Sequence, residues 1–390
     1  MLDVKLKSDR DRSLKRGHPW ILSGAVAEVT GDAEPGAWVR VSSAQGEVLA
    51  YGHYSPASAI RVRILTFGKE ASDEEVLRER IAAAVVRRAQ MALFGETDAL
   101  RLINAEGDGL PGLVADRYGD VVVVRLSSAG MVRRREWIAR YLAEVTGAGA
   151  GFERADATAA RRENFAQRSG TLWGTVPELL LSIRERGRHY LVDVAAGQKT
   201  GFYLDQREAR DRVESLAQGK RVLDLFAYTG GFSVAAARGG ASGVTAVETS
   251  EAACQLARRH LELNAPVVPF HAVRDDAFAF LRREAGPWDL LIADPPPLAK
   301  HKSDVPRAAR AYKDLFLWLF RRAAENALVL AFCCSHHVGP EHFLKIAQSA
   351  ARDAEREVQV LAELGASPDH PVALQHPEGR YLSGLLLRVF

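Results

Sequence analysis

The sequence of 390 residues contains little cysteine and carries almost no net charge. Its three cysteines, Cys254, Cys333 and Cys334, lack the paired spacing of metal ligands. This argues against a disulfide framework or a zinc site and predicts reduced thiols. The formal net charge of +3 gives no strong positive field. The overall charge therefore permits a polyanionic partner without indicating one.

Long apolar runs are also missing. No uninterrupted apolar segment approaches the roughly 18 residues that cross a bilayer, and the first 20 residues lack the apolar block of a signal peptide. We therefore expect a cytoplasmic protein with no membrane partner. Hydrophobic residues make up 47% and charged residues 26%, which is typical of globular proteins. The length predicts two or three domains.

The first half of the chain shows two different patterns. In residues 1–70, segments 36–43, 46–54 and 59–67 alternate apolar with polar residues between Gly and Pro, as in a small β-barrel. Residues 71–187 then combine an amphipathic helix, several strands and a basic helix. This second pattern indicates an α+β module without a catalytic cluster of its own.

From residue 188 onward, short apolar strands alternate with helices. This alternation predicts a parallel, doubly wound α/β sheet, in which ligands bind outside the carboxyl ends of the strands. One of the helices is predicted over residues 312–326. The predicted strands fall in segments 222–228, 244–250, 268–276, 288–297 and 327–335.

Polar and glycine residues follow the first three of these strands. Glycines let the backbone turn tightly and bring its N–H groups close to a ligand at a helix N-terminus. An acid at the end of the second strand suits ribose hydroxyls, and one after the third suits an adenine amine. The arrangement fits a dinucleotide or S-adenosylmethionine, but the absence of GxGxxG after the first strand disfavours the dinucleotide. The residues concerned are Asp224, Phe226, Tyr228, Thr229, Gly230, Gly231, Glu248 and Asp276.

The last two strands end in residues that can carry chemistry. Asp294 is followed by three prolines, which fix φ and hold the chain rigidly where it leaves the sheet. Cys334 follows the fifth strand, where a thiol can be held as a reactive thiolate, although isolated cysteines are more often structural. The adjoining pair His336 and His337 lacks further ligands, so we predict no metal site.

Several long motifs resemble one known family. Segments 197–207 (GQKTGFYLDQR), 294–302 (DPPPLAKHK), 333–337 (CCSHH) and 369–382 (DHPVALQHPEGRYL) look like the bacterial large-subunit ribosomal RNA cytosine-C5 methyltransferases of the three-domain type. The N-terminal RGHPWILSGAV resembles the start of the PUA domain of that family. The resemblance covers essentially the whole chain.

The resemblance implies a three-domain organisation and a reaction. It implies a PUA-like RNA-binding domain over 1–70, a central α+β domain over 71–187, and a class I (Rossmann-like) methyltransferase domain over 188–390. S-adenosylmethionine would be the cofactor and large-subunit ribosomal RNA the partner. Cys334 would add to C6 of the cytosine, so that C5 can accept the methyl group, and Asp294 would orient and protonate the base.

Further site residues follow from the same motifs. Lys199 and Thr200 would bind the cofactor together with Asp294, whereas Pro295, Pro296 and Lys300 would contact the RNA. The chain departs from the wider class at Pro297, where many relatives carry a second cysteine. The group that removes the C5 proton is therefore undetermined. Leu298 replaces the usual phenylalanine, which affects packing more than chemistry.

Other interpretations stay open at this point. An RNA methyltransferase acting on an exocyclic nitrogen would also use Asp-Pro-Pro, but it would not need the cysteine after the fifth strand. An NAD-dependent oxidoreductase and a non-catalytic RNA-binding protein are disfavoured by the motifs described above. The sequence does not determine the target nucleotide, whether free RNA or a subunit particle is the substrate, or whether the chain forms a homodimer.

Overall fold

A computed structural model describes residues 2–284 and 286–390. The chain divides into two compact units. The first contains the residues up to Arg186 together with Val192–Leu204 and Pro368–Gly379. The second contains Gly187–Leu191, Asp205–Ser367 and Arg380–Phe390. The three-domain division at residues 70 and 187 stays a prediction, because the contacts define two units and return two later segments to the first.

The first unit begins with a six-stranded mixed sheet of order β2-β6-β5-β4-β1-β3. Three of its strands coincide with the segments predicted from alternation. The first three strands were not predicted, because they are short or interrupted by polar residues. The core on one side of this sheet includes Val4, Val39 and Val62, all fully buried. The strands are β1 (Leu2–Leu6), β2 (Trp20–Leu22), β3 (Val26–Val29), β4 (Trp38–Ser42), β5 (Val48–Tyr54) and β6 (Ile60–Phe67), with helix α1 (Arg12–Lys15).

The rest of the first unit is built on a five-stranded sheet of order β11-β10-β9-β8-β7. Helix α2 begins after Ser72, whose hydroxyl caps it by accepting from the N–H of Glu75 at 3.2 Å. The α2 residues Leu77 and Ile81 pack into the core of this sheet. The elements are α2 (Asp73–Ala89), β7 (Ala99–Asn104), β8 (Leu113–Tyr118), β9 (Val121–Leu126), α3 (Ala129–Arg133), α4 (Arg135–Thr146), β10 (Ala150–Glu153), α5 (Ala157–Glu163), β11 (Gly170–Gly174) and β12 (Leu180–Glu185). The next strand, β13 (Arg188–Asp193), is divided between the two units.

The second unit is a seven-stranded sheet of order β16-β15-β14-β17-β18-β20-β19. Strands β14 to β18 run parallel, and β20 pairs antiparallel with β18 and β19. This confirms the predicted doubly wound α/β fold. The elements are α6 (Arg207–Leu216), β14 (Arg221–Leu225), α7 (Gly231–Arg238), β15 (Gly243–Glu248), α8 (Glu251–Asn264), β16 (Phe270–Arg274), α9 (Ala277–Arg283), β17 (Trp288–Ala293), α10 (Val305–Arg322), β18 (Ala323–Cys333), α11 (Pro340–Ala354), β19 (Val358–Leu364) and β20 (Ser383–Val389).

Strand order reverses at β14, which lies between β15 and β17. The connections leaving β14 and β17 therefore diverge, and a crevice opens at the carboxyl ends of these two strands. The predicted helix over 312–326 is wrong at its end: α10 stops at Arg322, and residues 323–326 already belong to β18. Ala323 pairs with Trp288, so sheet pairing overrides the helical periodicity there.

Among the described residues, no helix is long and apolar enough to span a membrane.

Candidate active site

The turn after β14 has an unusual backbone. Phe226 and Tyr228 have φ values of +59° and +49°, in the left-handed region that non-glycine residues seldom adopt. Gly230 has φ +77°, and a Cβ there would lie 3.0 Å from the Cβ of Ala257, so glycine is required. Strained backbone of this kind concentrates at ligand sites. The turn leads directly into the N-terminus of α7 at Gly231.

A buried histidine supports this turn and was missed by sequence reasoning. The Nδ1–H of His260 donates to the carbonyl of Thr229 at 2.7 Å, and its Nε2 accepts from the N–H of Leu191 at 2.8 Å. Burial lowers the pKa of His260 to about 4, so the ring is neutral, which this pair of hydrogen bonds requires. Nothing in the local sequence of α8 marks the histidine, because both partners are distant in the chain.

Asp224, near the end of β14, is a buried acid with an incomplete set of partners. Its Oδ2 accepts from the hydroxyl of Ser233 at 2.6 Å, whereas its Oδ1 is buried without a hydrogen-bond partner. Burial raises the pKa of Asp224 to about 7, and the hydrogen bonds from Ser233 only partly oppose this. The nearby carboxylates of Asp294 and Glu248 raise the pKa further. A cationic group at this place would stabilise the ionised form of Asp224 and offset the repulsion from the two nearby carboxylates.

Glu248 ends β15 beside this turn. Its Oε2 accepts from the N–H of Tyr228 at 3.0 Å, and its Oε1 accepts from the hydroxyl of Thr249 at 3.0 Å and the N–H of Ser250 at 2.9 Å. These bonds fix the carboxylate and tie the β14 turn to the neighbouring strand. Each carboxylate oxygen can accept more than one hydrogen bond, so the group can still accept from ribose hydroxyls.

Asp276 and its neighbour have separate partners. Asp276 is exposed and caps α9 by accepting from the N–H of Ala279 at 2.9 Å. Asp275 instead pairs with Arg283 at 2.6 Å, and this bond holds the pKa of Asp275 low. Of these two adjacent acids, one is therefore ion-paired, and the other lies exposed after β16.

Asp294 follows β17 directly and is half-buried. Its Oδ2 accepts from the side-chain amide of Gln206 at 2.9 Å. The prolines begin at once: Pro295 is buried and Pro296 is exposed. Lys300, farther along the same loop, is exposed. Gln206 was part of a motif in the sequence, but its contact with Asp294 across 88 positions was not foreseen.

The two adjacent cysteines at the end of β18 lie in different environments. Cys333 is 1% exposed and belongs to the core that α10 and α11 cover, and burial raises the pKa of its thiol. Cys334 is half-buried, and its thiol donates to the carbonyl of Pro295 with an Sγ–O distance of 3.3 Å. The structure thus brings Cys334 to the loop that carries Asp294. Only Cys334 is partly accessible.

Ser335 links the same two loops. Its Oγ accepts from the N–H of Ala299 at 3.2 Å and lies 3.4 Å from the hydroxyl of Tyr312. Both side chains are buried. These contacts hold the residues that follow β18 against the loop after β17. The sequence analysis did not predict them.

Lys199 and Thr200 belong to the first unit, not to the second. Thr200 is buried; its hydroxyl donates to Asp116 and lies 3.0 Å from the hydroxyl of Tyr118. The Lys199 ammonium lies 4.3 Å from the ring centre of Tyr203. The role of Lys199 and Thr200 in cofactor binding stays a prediction.

One group of metal-ligating side chains converges among the residues that the structure describes. His18, His376 and Glu378, in the first unit, have one ligand atom each within 4.8 Å of the others. However, Nδ1 of His18 accepts from the N–H of Trp20 at 3.2 Å, which leaves the ring proton of a neutral His18 on Nε2. That Nε2 faces Glu378 at 3.4 Å. His18 is therefore positioned to donate to Glu378, whereas Nε2 of His376 lies 3.9 Å from the same carboxylate oxygen.

The residues around the β14 turn fit S-adenosylmethionine. This cofactor carries two positive centres, and the turn offers a buried acid with an unpartnered oxygen. The hydroxyl of Thr229 in the same turn is also buried without a hydrogen-bond partner. The acid at the end of β15 is suited to a ribose.

Comparison with known proteins defines the class. Residues 101–377 match the sequence model of the S-adenosylmethionine-dependent methyltransferases, and residues 4–67 match that of a PUA-like domain. A structure assigned as a methyltransferase, solved with S-adenosylhomocysteine, superposes over 100% of both chains with a TM-score of 0.86 at 25% identity. Fold, site and family together define an S-adenosylmethionine-dependent methyltransferase, so the predicted cofactor and enzyme class are confirmed.

Curated relatives narrow the family. A protein of Erwinia tasmaniensis named ribosomal RNA large subunit methyltransferase I is 40% identical over 389 residues, which is 98% of each chain. Its namesake in Klebsiella pneumoniae is 39% identical and covers 98% of this chain and 97% of its own. The chain belongs to the ribosomal RNA large subunit methyltransferase I family, as its motifs predicted.

Proposed function

We propose that this enzyme methylates C5 of a cytosine in large-subunit ribosomal RNA through a covalent adduct between Cys334 and C6 of the base. The names of the curated relatives support large-subunit ribosomal RNA as the substrate, and the sequence motifs support C5 as the position of methylation. The observation that carries the proposal is the hydrogen bond between the Cys334 thiol and the carbonyl of Pro295 at 3.3 Å. It places the accessible thiol against the residue that follows Asp294.

The chemistry requires a nucleophile and an acid on the same base. C5 of cytosine is a poor nucleophile until a group adds to C6. The Cys334 sulfur, once its proton has left, forms a bond to C6, and the electron pair of the C5–C6 double bond is displaced into the ring. Asp294 gives a proton to N3 as this charge develops. C5 then carries the electron density that accepts a methyl group.

The end of the reaction restores the cysteine. A base removes the proton from C5, the C5–C6 double bond re-forms, and the sulfur leaves C6 as a thiolate that is protonated again. N3 returns its proton to Asp294. No second cysteine stands at position 297, so this base is not a cysteine of the Pro loop. S-adenosylmethionine, when bound, supplies an electrophilic methyl group on a sulfonium.

The cofactor would be held by the strand-end residues. Asp224 would pair with its ammonium group, Glu248 with the ribose hydroxyls, and Asp276 with the adenine amine. The backbone of Phe226, Tyr228 and the two glycines would approach it closely, as the left-handed turn permits.

The RNA would be gripped by other parts of the chain. The target base must leave its stack to reach Cys334, at a cost of a few kcal/mol. The PUA-like residues 4–67 would offset this by binding RNA backbone and shape, and the exposed Lys300 would neutralise a phosphate near the site. Pro295 and Pro296 would form the rigid wall beside the base.

A trapping experiment tests the covalent step. RNA containing 5-fluorocytosine at the target cannot lose a proton from C5, so the wild-type enzyme should retain it as a stable covalent complex. Cys334→Ala should form no complex and reduce methylation to background while still binding the cofactor. The matched control is Cys333→Ala, which should trap RNA normally and lose only about 1 kcal/mol of stability through the small cavity.

Peptide mapping of the complex decides the outcome. A cross-link on Cys333 would show that Cys333, and not Cys334, is the nucleophile. A Cys334→Ala variant that still methylates, with no complex formed by the wild type, would favour methylation of an exocyclic nitrogen instead.

A further inference from the structure

We infer that Gln206 is a positioning residue for Asp294, able to hydrogen-bond its carboxyl group in both protonation states. This rests on the proposed function, in which Asp294 gives up and regains a proton. The side-chain amide of Gln206 donates to Oδ2 of Asp294 at 2.9 Å. A carboxyl group held by a fixed donor cannot rotate freely about its last bond, so the bond sets the plane in which Asp294 meets the base.

The burial of Gln206 argues against a packing role. Gln206 is 2% exposed, and its Oε1 is buried without a hydrogen-bond partner. An unsatisfied buried acceptor destabilises the folded state, and an apolar side chain of similar size would avoid that cost. Buried polar atoms left unsatisfied in a native fold are rare, and here the polar contact that Gln206 does make is with Asp294.

The chemistry of the amide explains the choice of residue. The N–H₂ end of a glutamine donates to a carboxylate, and its oxygen end accepts from a protonated acid. A half-turn of the amide therefore lets one side chain hydrogen-bond both forms of Asp294. Arginine or lysine would lock Asp294 as a carboxylate, and glutamate would repel it. Among side chains of this reach, glutamine alone keeps the proton of Asp294 exchangeable while fixing its direction.

The local fold holds the contact between Gln206 and Asp294 in a fixed geometry. Gln206 lies directly before α6, whose buried residues Ala209 and Val213 anchor that helix in the second unit. Asp294 directly follows β17, the central strand next to β14. Both ends of the hydrogen bond are therefore carried by packed elements and not by free loops.

The test compares Gln206→Leu with Gln206→Glu in the full-length enzyme, using Gln348→Leu on the exposed face of α11 as the matched control. Gln206→Leu should lower kcat about tenfold to a hundredfold, because a hydrogen bond to an ionisable catalytic group is lost. It should also move the alkaline limb of the pH profile upward by about one unit. The bond that Gln206 donates to the charged carboxylate is stronger than the one it accepts from the neutral acid, so its loss raises the pKa of Asp294.

Gln206→Glu tests whether the hydrogen bond to Asp294, and not only the size of the side chain, is needed. Its protonated form can donate to Asp294, so this variant should recover activity as the pH falls and lose it as the pH rises. Gln206→Leu should show no such recovery. S-adenosylmethionine affinity, measured by calorimetry, should stay within about twofold of wild type in all three variants.

Two results would overturn the inference. An unshifted pH profile in Gln206→Leu would mean that the glutamine does not act through Asp294. A large loss of cofactor affinity would make it a cofactor-binding residue instead. If the wild type traps no 5-fluorocytosine RNA, the covalent proposal fails separately, and the pH profile of methyl transfer still decides the role of Gln206.

Discussion

The two units of the molecule use buried acids in opposite ways. In the first unit, buried carboxylates are matched by buried arginines: Asp108 lies 2.6 Å from Arg88, and Asp116 lies 2.5 Å from Arg101. In the second unit, Asp224 is equally buried, but its Oδ2 accepts from the neutral hydroxyl of Ser233, and its Oδ1 has no hydrogen-bond partner. A buried acid that is paired with arginine belongs to the folded framework. A buried acid with an unpartnered oxygen is instead a candidate for ligand binding.

The largest expected effect comes from breaking a compensated pair. Asp108 accepts from Arg88, from Arg87 and from the N–H of Asn104. Asp108→Asn should therefore cost about 3–5 kcal/mol in the free energy of unfolding, because it leaves the buried Arg88 charge without its partner. Denaturant unfolding measures this.

The matched control is the exposed pair of Arg133 with Glu34. Glu34→Gln should change the unfolding free energy by less than about 1 kcal/mol. If Asp108→Asn cost no more than the control, the contrast between the two units would be lost.

A smaller effect on stability and a larger one on function are expected at Asp224. Asp224→Asn keeps the shape and removes a charge that burial disfavours, so the unfolding free energy at pH 8 should be unchanged or higher. Affinity for S-adenosylmethionine should fall about tenfold to a hundredfold, since an ionic hydrogen bond is lost. Calorimetry measures the cofactor affinity and denaturant unfolding measures the free energy of unfolding, both on the same preparation.

Asp353→Asn, on the exposed face of α11, serves as the control and should leave affinity intact. A variant of Asp224 that loses stability but binds normally would show that the acid is structural after all.

The smallest expected effect is a pH dependence of cofactor binding. Burial raises the pKa of Asp224 to about 7, and a cationic ligand favours the ionised form. Affinity should therefore rise about tenfold from pH 6 to pH 8, and binding at neutral pH should release protons. The sign for stability is opposite: a raised acid pKa stabilises the fold below the unfolded value, and this is lost as pH rises through about 7.

Calorimetry in buffers of different ionisation enthalpy measures the proton release directly. The Asp224→Asn variant should abolish both the pH dependence and the release. Proton uptake, or a pH dependence that survives in the variant, would assign the titration to another group.

Much of the site could be predicted because parallel strands share one edge. Asp224, Glu248, Asp294 and Cys334 each lie at or directly after the end of an apolar strand, and the βαβ alternation requires that those strand ends lie together. The sequence could not show which of two adjacent groups faces the site. Cys333 is buried in the core and Cys334 is not, and this depends on how α10 and α11 cover the sheet.

The sequence by itself determined the family, the parallel sheet and the order of chemical groups along it, because strand-end residues and turn residues act locally. Only the tertiary structure decided which distant groups meet. Gln206 reaches Asp294, His260 supports the carbonyl of Thr229, and residues 368–379 return to the first unit. These contacts join segments far apart in the chain, and they are set by the packing of the whole core, which no local pattern encodes.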